Sequence, residues 1–484
     1  MVGITAFGAY VPRLRLSRQA VVDANAWFNP AIRKLAKGER AICNWDEDSL
    51  TMAVEAARDC LTDQSRDDLG AVYLASTTLP FEDRQNAGVL STALNLSENL
   101  MTMDVTASQR AGTSGLINAL NATADRKASA LYVASDKRRT KAAGAQELQF
   151  GDGAAAFRLG AMDVVAEFVG AHQIAVDFVD HYRGQDQKFD YGWEERWIRD
   201  EGYFKIVPRA LEGLFASIET KPADIDHFVM PSVIPPVPRR IASEAGISEA
   251  SVRDSLHDRM GESGTAHALV MLVDALQDAK PGQNILVVGW GQGCDALLFR
   301  TTKALAVLPP RLGVKGSLAR GRVESNYNRY LALNGLVTQE KGIRAERDGQ
   351  TALTTLYRKR DMILGFVGGK CRICGTVQFP RTNACVSPNC GAFRSQDPHP
   401  FADIPAKIQS WTADNLTYSP DPPAHFGMVV FEEGGRLMAD LTDVDVGGVE
   451  VGMPMRMVFR IKQFDERRGF TKYFWKAAPD TRKV

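Results

Sequence analysis

The 484-residue chain lacks any long uninterrupted apolar stretch, which bears on where the protein works. No apolar run approaches the roughly 18 residues that suggest a membrane-spanning helix. The first residues also lack a basic segment followed by an apolar run, the pattern of a secretory signal. We therefore expect a cytoplasmic protein that does not associate with membranes.

The sequence also lacks an excess of either charge. Lys and Arg together number 58, as do Asp and Glu, so the formal net charge is zero. Without a positive field, binding to nucleic acid is not favoured, and an acidic ligand would have to meet a local basic patch. The composition, 45% hydrophobic and 24% charged, is that of a globular protein, and the length allows two or three domains.

Cysteine is scarce, and four of the seven residues fall in one segment. Cys371, Cys374, Cys385 and Cys390 are spaced C-x2-C-x10-C-x4-C, so two short knuckles could close a tetrahedral thiolate shell around Zn²⁺. Four protein ligands leave no open position for chemistry, so we expect a structural zinc. Both pairs lie on turn sequences, which disfavours the alternative of disulfides or unconnected cysteines. The remaining three cysteines suit a reducing compartment.

Helical and strand-like patterns alternate through the first 310 residues. Short apolar runs of the buried-strand kind begin at Ala71, Ala130, His227 and Asn284, each after a helical pattern. The first two runs are 59 positions apart and the last two 57, which predicts two similar α/β halves, 1–165 and 166–310. Such domains commonly bind ligands at helix N-termini near the carboxyl ends of strands, so we expect the loops 106–112 and 259–264 to face each other.

The composition changes after residue 310. We predict a helical linker over 311–365, the zinc ribbon over 366–395 and a small β-barrel of the OB-fold type over 396–484. OB-folds often bind nucleic acid, but this segment lacks the dense basic and aromatic surface of such proteins.

Several motifs of the first 310 residues carry a family resemblance. They are Gly-Ala-Tyr-Val-Pro at 8–12, Asp-Glu-Asp at 46–48, Arg-Ala-Gly-Thr at 110–113 and Gly-Tyr-Phe-Lys at 202–205. In these the chain resembles archaeal-type hydroxymethylglutaryl-CoA synthases of the thiolase superfamily. The resemblance implies an α/β fold class, a duplicated thiolase-like five-layer αβαβα fold, and a homodimer.

The C-terminal residues are similar to a second group, the zinc-ribbon and OB-fold proteins that partner thiolases and such synthases. The matching stretches are Tyr-Asn-Arg-Tyr-Leu at 327–331, Gly-Thr-Val-Gln-Phe-Pro-Arg at 375–381, Phe-Gly-Met at 426–428 and Thr-Asp at 442–443. The two resembled proteins are usually separate subunits, and here they are fused in one chain.

Three positions depart from the catalytic pattern of the synthases. Alignment on the 110–113 motif puts Gln109 where the family has its nucleophilic cysteine, and an amide cannot form an acyl-enzyme. The family's acidic residue is replaced by Thr77, and no histidine stands near 231–234. Ordinary hydroxymethylglutaryl-CoA synthesis is therefore not expected.

Three residues could supply a different chemistry. Gln109 precedes a helix and could donate hydrogen bonds to a developing enolate, as in ketosynthase-like decarboxylases, or it could be a satisfied polar residue in a degenerate site. His267, in the first turn of a second-half helix, could be a base or a structural histidine. Glu262 could be a base or a helix N-cap.

Other candidates carry weaker signals. His181 stands where the family has a segment lining the substrate tunnel, and could contact substrate or simply lie at the surface. Arg183 and Lys205 could meet the phosphates of CoA or could be solvated. Cys294 could be a relocated nucleophile or a buried thiol. His257 could pair with Asp258, whereas Asp152, between two glycines, is typical of a turn.

These observations favour a thiolase-superfamily acyltransferase or carbon–carbon lyase that acts on acyl-CoA without a cysteine nucleophile. Retro-Claisen cleavage, retro-aldol cleavage and decarboxylation all proceed through an enolate and need an oxyanion site and a base. The alternative from another class is a non-catalytic subunit that binds or channels acyl-CoA for a partner thiolase. The expected ligands are structural Zn²⁺ and CoA as a part of the substrate.

Overall fold

The computed structural model describes residues 2–124, 128–346 and 349–481. Two compact units make up the chain. The first contains Met1–Cys43, Asp48–Gly88 and Ser97–Tyr330, and the second contains Asn44–Glu47, Val89–Leu96 and Leu331–Val484. None of the helices formed by the described residues is long and apolar enough to cross a membrane.

The first half of the first unit alternates strands and helices. Its strands are β1 (Gly3–Tyr10), β2 (Leu14–Ser17), β3 (Glu39–Ile42), β4 (Leu69–Ala75), β5 (Met101–Val105), β6 (Ser129–Asp136) and β7 (Gly153–Gly160). Its helices are α1 (Arg18–Asn25), α2 (Ser49–Cys60), α3 (Asn86–Ala93), α4 (Ala111–Ala124) and α5 (Ala145–Gln149). At the start of α2, the Asp48 side chain accepts a hydrogen bond from the Thr51 backbone, and the Asp48 backbone N–H donates to the Thr51 hydroxyl, which forms a capping box.

The second half repeats this alternation. Its strands are β8 (Ala166–Ala175), β9 (His181–Tyr182), β10 (Tyr191–Gly192), β11 (His227–Val229), β12 (Asn284–Trp290) and β13 (Gly293–Thr301). Its helices are α6 (Glu195–Trp197), α7 (Phe204–Ser217), α8 (Pro236–Glu244), α9 (His257–Met260) and α10 (His267–Asp278). Helix α11 (Gly313–Ala319), strand β14 (Arg322–Glu324) and helix α12 (Tyr327–Leu333) follow, and β14 joins β2 and β3 in a small sheet.

The order of the strands confirms that the two halves are similar. Nine strands are hydrogen-bonded in the order β11-β12-β13-β8-β1-β7-β6-β4-β5. Each half contributes the same series, β4-β6-β7-β1 in the first and β11-β12-β13-β8 in the second. The first two strands of each series are parallel and the third is antiparallel to them. The duplication inferred from the spacing of the apolar runs is therefore present in the topology.

Helix α10 is almost wholly buried, and α4 packs in the same core. Every residue of α10 from His267 to Leu276 is buried, and apolar side chains of both helices belong to one core cluster with the strands of both halves. A helix that is apolar around its whole circumference must be covered on all sides. The N-termini of these two helices therefore open at the centre of the unit, where polar groups need partners.

The second unit contains the predicted ribbon and barrel. After α13 (Leu353–Arg358) and α14 (Arg360–Ile363), strands β15 (Val367–Cys371), β16 (Val377–Gln378) and β17 (Gln396–Pro400) form the sheet β16-β15-β17. Five strands follow in the order β20-β19-β18-β21-β22, namely β18 (Ala406–Asp414), β19 (Ala424–Phe431), β20 (Arg436–Asp440), β21 (Pro454–Asp465) and β22 (Phe470–Pro479). Leu441, the residue directly after β20, forms a β-bridge with Ala477 of β22.

A buried ionic cluster lies in the second unit, and residues 44–47 are part of it. Asp46 accepts hydrogen bonds from Thr442 Oγ1 (3.0 Å) and Lys476 Nζ (2.8 Å). Arg460 Nη2 lies 3.1 Å from Glu47 Oε1 and 3.0 Å from Asp443 Oδ2. Burial would raise the pKa of Asp46, but Lys476 and Arg460 lower it below its usual value. Two of the family motifs, 46–48 and 442–443, therefore meet in this cluster.

Candidate functional site

The loop before α4 approaches the short 3-10 helix before α10 closely. A Cβ atom at Gly112 would lie 2.1 Å from the carbonyl oxygen of Thr265, so only glycine permits this contact. The two loops therefore face each other, as the sequence predicted. Gln109 lies two residues before α4, and Glu262 lies two residues before the 3-10 helix Gly264–Ala266.

The side-chain amide of Gln109 has three donors around its oxygen. The oxygen accepts hydrogen bonds from Arg138 Nη1 (2.8 Å), Arg138 Nη2 (3.0 Å) and His181 Nε2 (3.0 Å). A guanidinium only donates, so the amide must turn its oxygen and not its NH₂ group toward Arg138. The residues that share hydrogen bonds around this amide are called the Gln109 cluster below: Gln109, Arg138, Asp180, His181, Arg183, Asp190 and Glu262.

Arg138 is the centre of the Gln109 cluster. It stands two residues after β6, and its side chain is 1% exposed. Its Nη1 donates to Glu262 Oε2 (2.5 Å) and its Nη2 to Asp190 Oδ2 (2.9 Å), while its guanidinium lies 3.7 Å from the centroid of the Phe150 ring. Burial would lower the pKa of Arg138, but the carboxylates of Glu262 and Asp190 raise it above its usual value.

The sequence analysis did not single out Arg138, although a signal was present. A Lys-Arg-Arg run at 137–139 directly follows the buried strand β6. Charged residues at the carboxyl end of a buried strand lie where such domains place their sites. The backbone N–H of Arg138 is held by Asp152 Oδ1 at 2.8 Å, and the other oxygen of Asp152 accepts from Cys43 N at 2.7 Å.

Glu262 bonds the start of a helix, much as the N-cap role predicted, and also forms an ion pair; its role as a base remains a prediction. Its Oε1 accepts a hydrogen bond from the backbone of Gly264 (2.8 Å), which satisfies a donor at the start of the 3-10 helix. Its Oε2 pairs with Arg138, which also contacts Gln109. Glu262 and Gln109, predicted separately from two loops, are thus joined through one guanidinium.

His181 lies between the Gln109 amide and a buried carboxylate. Its Nδ1 is 2.9 Å from Asp180 Oδ1, and the second oxygen of Asp180 accepts from Trp290 Nε1 at 2.9 Å. Burial would raise the pKa of Asp180, but the hydrogen bonds from His181 and Trp290 lower it below its usual value. His181 is therefore held by Asp180, in contact with the predicted site.

The two cations predicted to bind CoA phosphates have different surroundings. Arg183 donates through Nη1 to Asp190 Oδ1 (2.7 Å) and through Nη2 to the carbonyl oxygen of Thr77. Lys205 lies outside the Gln109 cluster, exposed, and pairs with Glu201 (2.5 Å) one helical turn before it. Arg183 therefore belongs to the cluster, whereas Lys205 is a surface cation.

His267 is buried and both its ring nitrogens have partners. Nδ1 lies 3.2 Å from the backbone N–H of Ser263, and Nε2 lies 2.9 Å from the carbonyl oxygen of Ser255. The first contact needs an acceptor and the second a donor, so the ring is a neutral Nε2–H tautomer. Burial lowers the pKa of His267, although Glu262 acts in the opposite direction. This geometry fits a structural histidine, and its role as a base remains a prediction.

The ring of His257 lies 5.2 Å from that of His267. Its neighbour Asp258 contacts Arg18 and Lys37, at 3.5 Å and 3.1 Å, and not His257 as the sequence suggested. Burial and the nearby His267 lower the pKa of His257 well below its usual value.

Asp136, at the end of β6, is a second residue that sequence reasoning missed. Its oxygens accept hydrogen bonds from Thr77 N (2.8 Å) and Oγ1 (3.0 Å), from Ser76 and Thr78 hydroxyls (both 2.9 Å) and from the backbone of Thr265 (2.8 Å). A buried carboxylate with this many hydrogen-bond donors holds the segments that supply those donors in place. Thr77, predicted to stand at the family's acidic position, is thus linked through Asp136 to the backbone of Thr265 before α10.

The three cysteines outside the ribbon, Cys43, Cys60 and Cys294, are buried. Burial, together with the neighbouring Asp295, raises the pKa of Cys294 far above its usual value. Burial also raises the pKa of Cys60 to about 12. A thiol must ionise to attack a thioester, so these surroundings do not favour Cys294 as a relocated nucleophile.

The four ribbon cysteines fit a zinc ion. Their sulfur atoms all lie within 4.8 Å of one another, with Cys371 and Cys390 at 3.9 Å and Cys374 and Cys385 at 3.6 Å. A tetrahedron with Zn–S bonds of about 2.3 Å has edges of about 3.8 Å. Gly375 and Gly391, with φ of 74° and 55°, form the turns after the second and fourth cysteines. The donor set and its spacing thus suit structural Zn²⁺.

Comparison with protein families identifies the C-terminal modules. Residues 365–394 match the ChsH2 rubredoxin-like zinc ribbon domain, and residues 401–460 match the ChsH2 C-terminal OB-fold domain. These matches confirm the predicted ribbon, its zinc and the OB-fold. The numerical boundaries predicted for the five segments remain predictions.

The N-terminal part of the chain is similar to curated archaeal proteins. A hydroxymethylglutaryl-CoA synthase of Caldivirga maquilingensis is 29% identical over 350 residues, which are 70% of this chain and 99% of that protein. The hydroxymethylglutaryl-CoA synthase of Methanopyrus kandleri is 28% identical over 340 residues, 68% of this chain and 96% of that protein.

Solved structures share the fold. A crystal structure of hydroxymethylglutaryl-CoA synthase complexed with CoA has a TM-score of 0.61 at 15% identity, and covers 72% of this chain and 95% of that one. The 3-oxoacyl-(acyl carrier protein) synthase III of Pseudomonas aeruginosa has a TM-score of 0.55 at 20% identity, over 62% of this chain and 98% of that one. The predicted thiolase-like α/β fold is confirmed.

Proposed function

Because its N-terminal part is homologous to hydroxymethylglutaryl-CoA synthases and its C-terminal part carries ChsH2-type zinc-ribbon and OB-fold domains, we propose that this protein acts on acyl-CoA thioesters. The reaction makes or breaks a carbon–carbon bond next to the thioester. It proceeds through an enolate and forms no covalent acyl-cysteine.

The observation that carries this proposal is the orientation of the Gln109 amide. Three donors occupy its oxygen, so its NH₂ group points away from Arg138 and His181. An NH₂ group held in this way can donate to a thioester oxygen as negative charge develops there. The same donor would serve retro-Claisen cleavage, retro-aldol cleavage and decarboxylation, because all three place electrons on that oxygen.

Among the predicted bases, the geometry supports Glu262 over His267. Glu262 shares Arg138 with Gln109, so it belongs to the same cluster as the proposed donor. His267 uses both ring nitrogens for the backbone. A base must reach the proton that it removes, so of the two residues we assign this role to the one in the Gln109 cluster.

The contacts with CoA can also be ranked. The guanidinium of Arg183 is already used by Asp190 and Thr77. The ammonium of Lys205 is exposed and paired only with a surface glutamate, an interaction that contributes little and exchanges readily. We therefore assign a CoA phosphate to Lys205 rather than to Arg183.

A second candidate function is a non-catalytic subunit that binds or channels acyl-CoA for a partner thiolase. It is favoured by the ion pairs around Arg138, which are closed and buried as in a structural core. On that alternative, the purified protein binds acyl-CoA but converts none, and turnover appears only when a thiolase with an intact cysteine is added.

The test is mass spectrometry of products after the protein is incubated with CoA and with panels of β-ketoacyl-, β-hydroxyacyl- and carboxyacyl-CoAs. For the substrate that is converted, we expect Gln109→Ala to lower kcat by roughly 10²-fold or more with little change in KM, because the donor acts mainly in the transition state. No acyl adduct should form on a cysteine. The exposed Gln19, which pairs with Asp23, provides the control Gln19→Ala, which should keep wild-type rates.

Wild-type rates in Gln109→Ala would remove the amide from the mechanism. An acyl adduct on Cys294 would instead restore a covalent route. Absence of turnover with every thioester, together with binding of acyl-CoA, would favour the channelling subunit.

A further inference from the structure

We propose that Arg138 and His181 are positioning residues that hold the Gln109 amide in one orientation, with its NH₂ group directed to the substrate. This inference rests on the proposed function. It assigns to this chain a polar support around Gln109, the residue that the motif alignment predicts at the position of the synthases' nucleophile.

The first step concerns Arg138. An amide can rotate so that its oxygen and nitrogen exchange places, and the two positions differ only in their hydrogen bonds. Both terminal nitrogens of Arg138 lie within 3.0 Å of the oxygen position of Gln109. Exchanging the atoms would set the NH₂ group against a guanidinium that has no acceptor, so that orientation is excluded.

The second step concerns His181. Its Nε2 reaches the same amide oxygen at 3.0 Å, and its Nδ1 faces a carboxylate oxygen of Asp180 at 2.9 Å. The amide oxygen can only accept, so Nε2 is the donor in this contact. His181 therefore reinforces the orientation that Arg138 imposes.

The third step is the rigidity of the support. Glu262 and Asp190 each accept a hydrogen bond from one terminal nitrogen of Arg138. Arg183 donates to the other oxygen of Asp190. The guanidinium groups of Arg138 and Arg183 face the carboxylates of Glu262 and Asp190. These ion pairs let a buried guanidinium remain charged, because each guanidinium has a carboxylate within hydrogen-bond distance.

A consequence distinguishes positioning from mere packing. In Gln109→Glu, the carboxylate keeps an oxygen toward Arg138 and His181 but replaces the NH₂ donor with a second oxygen. We expect this variant to fold and to unfold at or above the wild-type temperature, because a neutral acceptor becomes a charged one beside the Arg138 guanidinium. We expect its kcat to be as low as that of Gln109→Ala.

The experiment combines these variants with Arg138→Lys, His181→Ala and His181→Gln. A lysine keeps the charge but cannot reach three acceptors in one plane, so the amide loses its fixed direction. We expect Arg138→Lys to lower kcat by roughly 10²-fold with KM nearly unchanged, the scale expected when a catalytic group is misplaced by about 1 Å. His181→Ala should also lower kcat, and His181→Gln, which can still donate, should recover part of it.

The decisive measurement is the double variant Gln109→Ala with Arg138→Lys. If Arg138 acts through the amide, the second change should lower kcat no further once the amide is gone. The control is Arg15→Lys, since Arg15 is equally buried but donates to the carbonyl oxygens of Leu14 and Ser317. This control should leave kcat unaffected.

The outcomes separate this inference from the proposed function. Additive losses in the double variant, or a lower unfolding temperature for Gln109→Glu, would overturn the positioning role. Wild-type rates in Gln109→Ala would instead overturn the proposed function. If no thioester is converted, the unfolding temperatures decide. The drop caused by Arg138→Lys is measured in the wild type and again in Gln109→Glu. A larger drop in Gln109→Glu supports the orientation, and equal drops contradict it.

Discussion

The two histidines before and within α10 show how one residue's surroundings decide its charge. His267 is buried at the start of α10, and the ring of His257 lies 5.2 Å from it. Burial lowers the pKa of both, and each would repel the other's proton. The folded protein therefore keeps both rings neutral under conditions in which the unfolded chain begins to protonate them.

This pair predicts that stability falls on mild acidification. Below about pH 6.5, the ordinary pKa of histidine, these two histidines bind protons in the unfolded chain but not in the folded protein. The free energy of unfolding should therefore be constant above that pH and fall as the pH drops below it. Urea titrations between pH 7.5 and 5 should show the decline, and His267→Gln should make it shallower.

The decline must be separated from that of the carboxylates. Carboxylates with lowered pKa values, such as Asp180, lose their contribution only at lower pH, so they do not account for a change near pH 6. An equally steep decline in His267→Gln would show that the histidine is not its origin.

Single residues differed in how far the sequence revealed them. Gln109, Glu262 and His181 were found because motifs or helix starts marked them, and the structure brings all three together. Arg138 and Asp136 were missed because their meaning lies in partners far along the chain, such as Glu262 and Thr265. No local pattern states which distant carboxylate a buried arginine will meet.

At the scale of elements, the contact between α4 and the loop before α10 fixes the site. Gly112 is the point of closest approach, since its Cα faces the carbonyl oxygen of Thr265 without a side chain between them. The elements that carry Gln109 and Glu262 thus approach each other through backbone atoms, which cannot move aside as a long side chain can.

We expect Gly112→Ala to destabilise the protein by about 2 kcal/mol or more, because the new methyl group overlaps backbone that belongs to a packed core. The change should also reduce the proposed activity by shifting Gln109. The control is Gly88→Ala in α3, where a Cβ would meet only Gln85 Oε1 at 3.4 Å. Alanine favours helix over glycine by roughly 1 kcal/mol, so the control should not destabilise. Equal stabilities measured by thermal unfolding would refute the close contact.

Elements could be predicted where they repeat. The strands β4, β6, β11 and β12 follow from apolar runs and their spacing, and the structure confirms them. The hairpin β9–β10 was not predicted, because two-residue strands of His-Tyr and Tyr-Gly carry no alternation of apolar residues. That hairpin nevertheless flanks Asp190, so the site was less predictable from the sequence than the core.

At the scale of the whole molecule, the zinc ribbon should behave as a local source of stability. We expect about one zinc per chain, and Cys371→Ser should lose the metal and loosen the second unit while the first stays compact, because a closed thiolate shell contributes folding free energy locally. Metal analysis and limited proteolysis would measure both effects. Cys294→Ala should retain the metal. Protein purified without chelators that contains no zinc would contradict the prediction.

The assembly offers a second prediction. We propose a homodimer through the strand edge of the first half, where β5 is the outermost strand and its Met103 is 40% exposed. An obligate interface of this kind buries more than about 2,000 Å². Light scattering after gel filtration should give a dimer, and Met103→Lys should shift it toward monomer, because a lysine on an edge strand opposes pairing. Met162→Lys, at an exposed position, should not. A monomer at all concentrations would refute this.

The ionic cluster around Asp46 limits how genes for such proteins can be divided. Arg460 and Lys476 of the C-terminal unit depend on Asp46 and Glu47, which are encoded some 400 codons upstream. A gene split after residue 330 would separate these cations from their carboxylates, and a buried ion that loses its partner costs about 3–5 kcal/mol. A gene split into two cistrons would therefore succeed only if both products were made together and assembled. In the fused gene, translation of one reading frame makes the two parts in equal amounts.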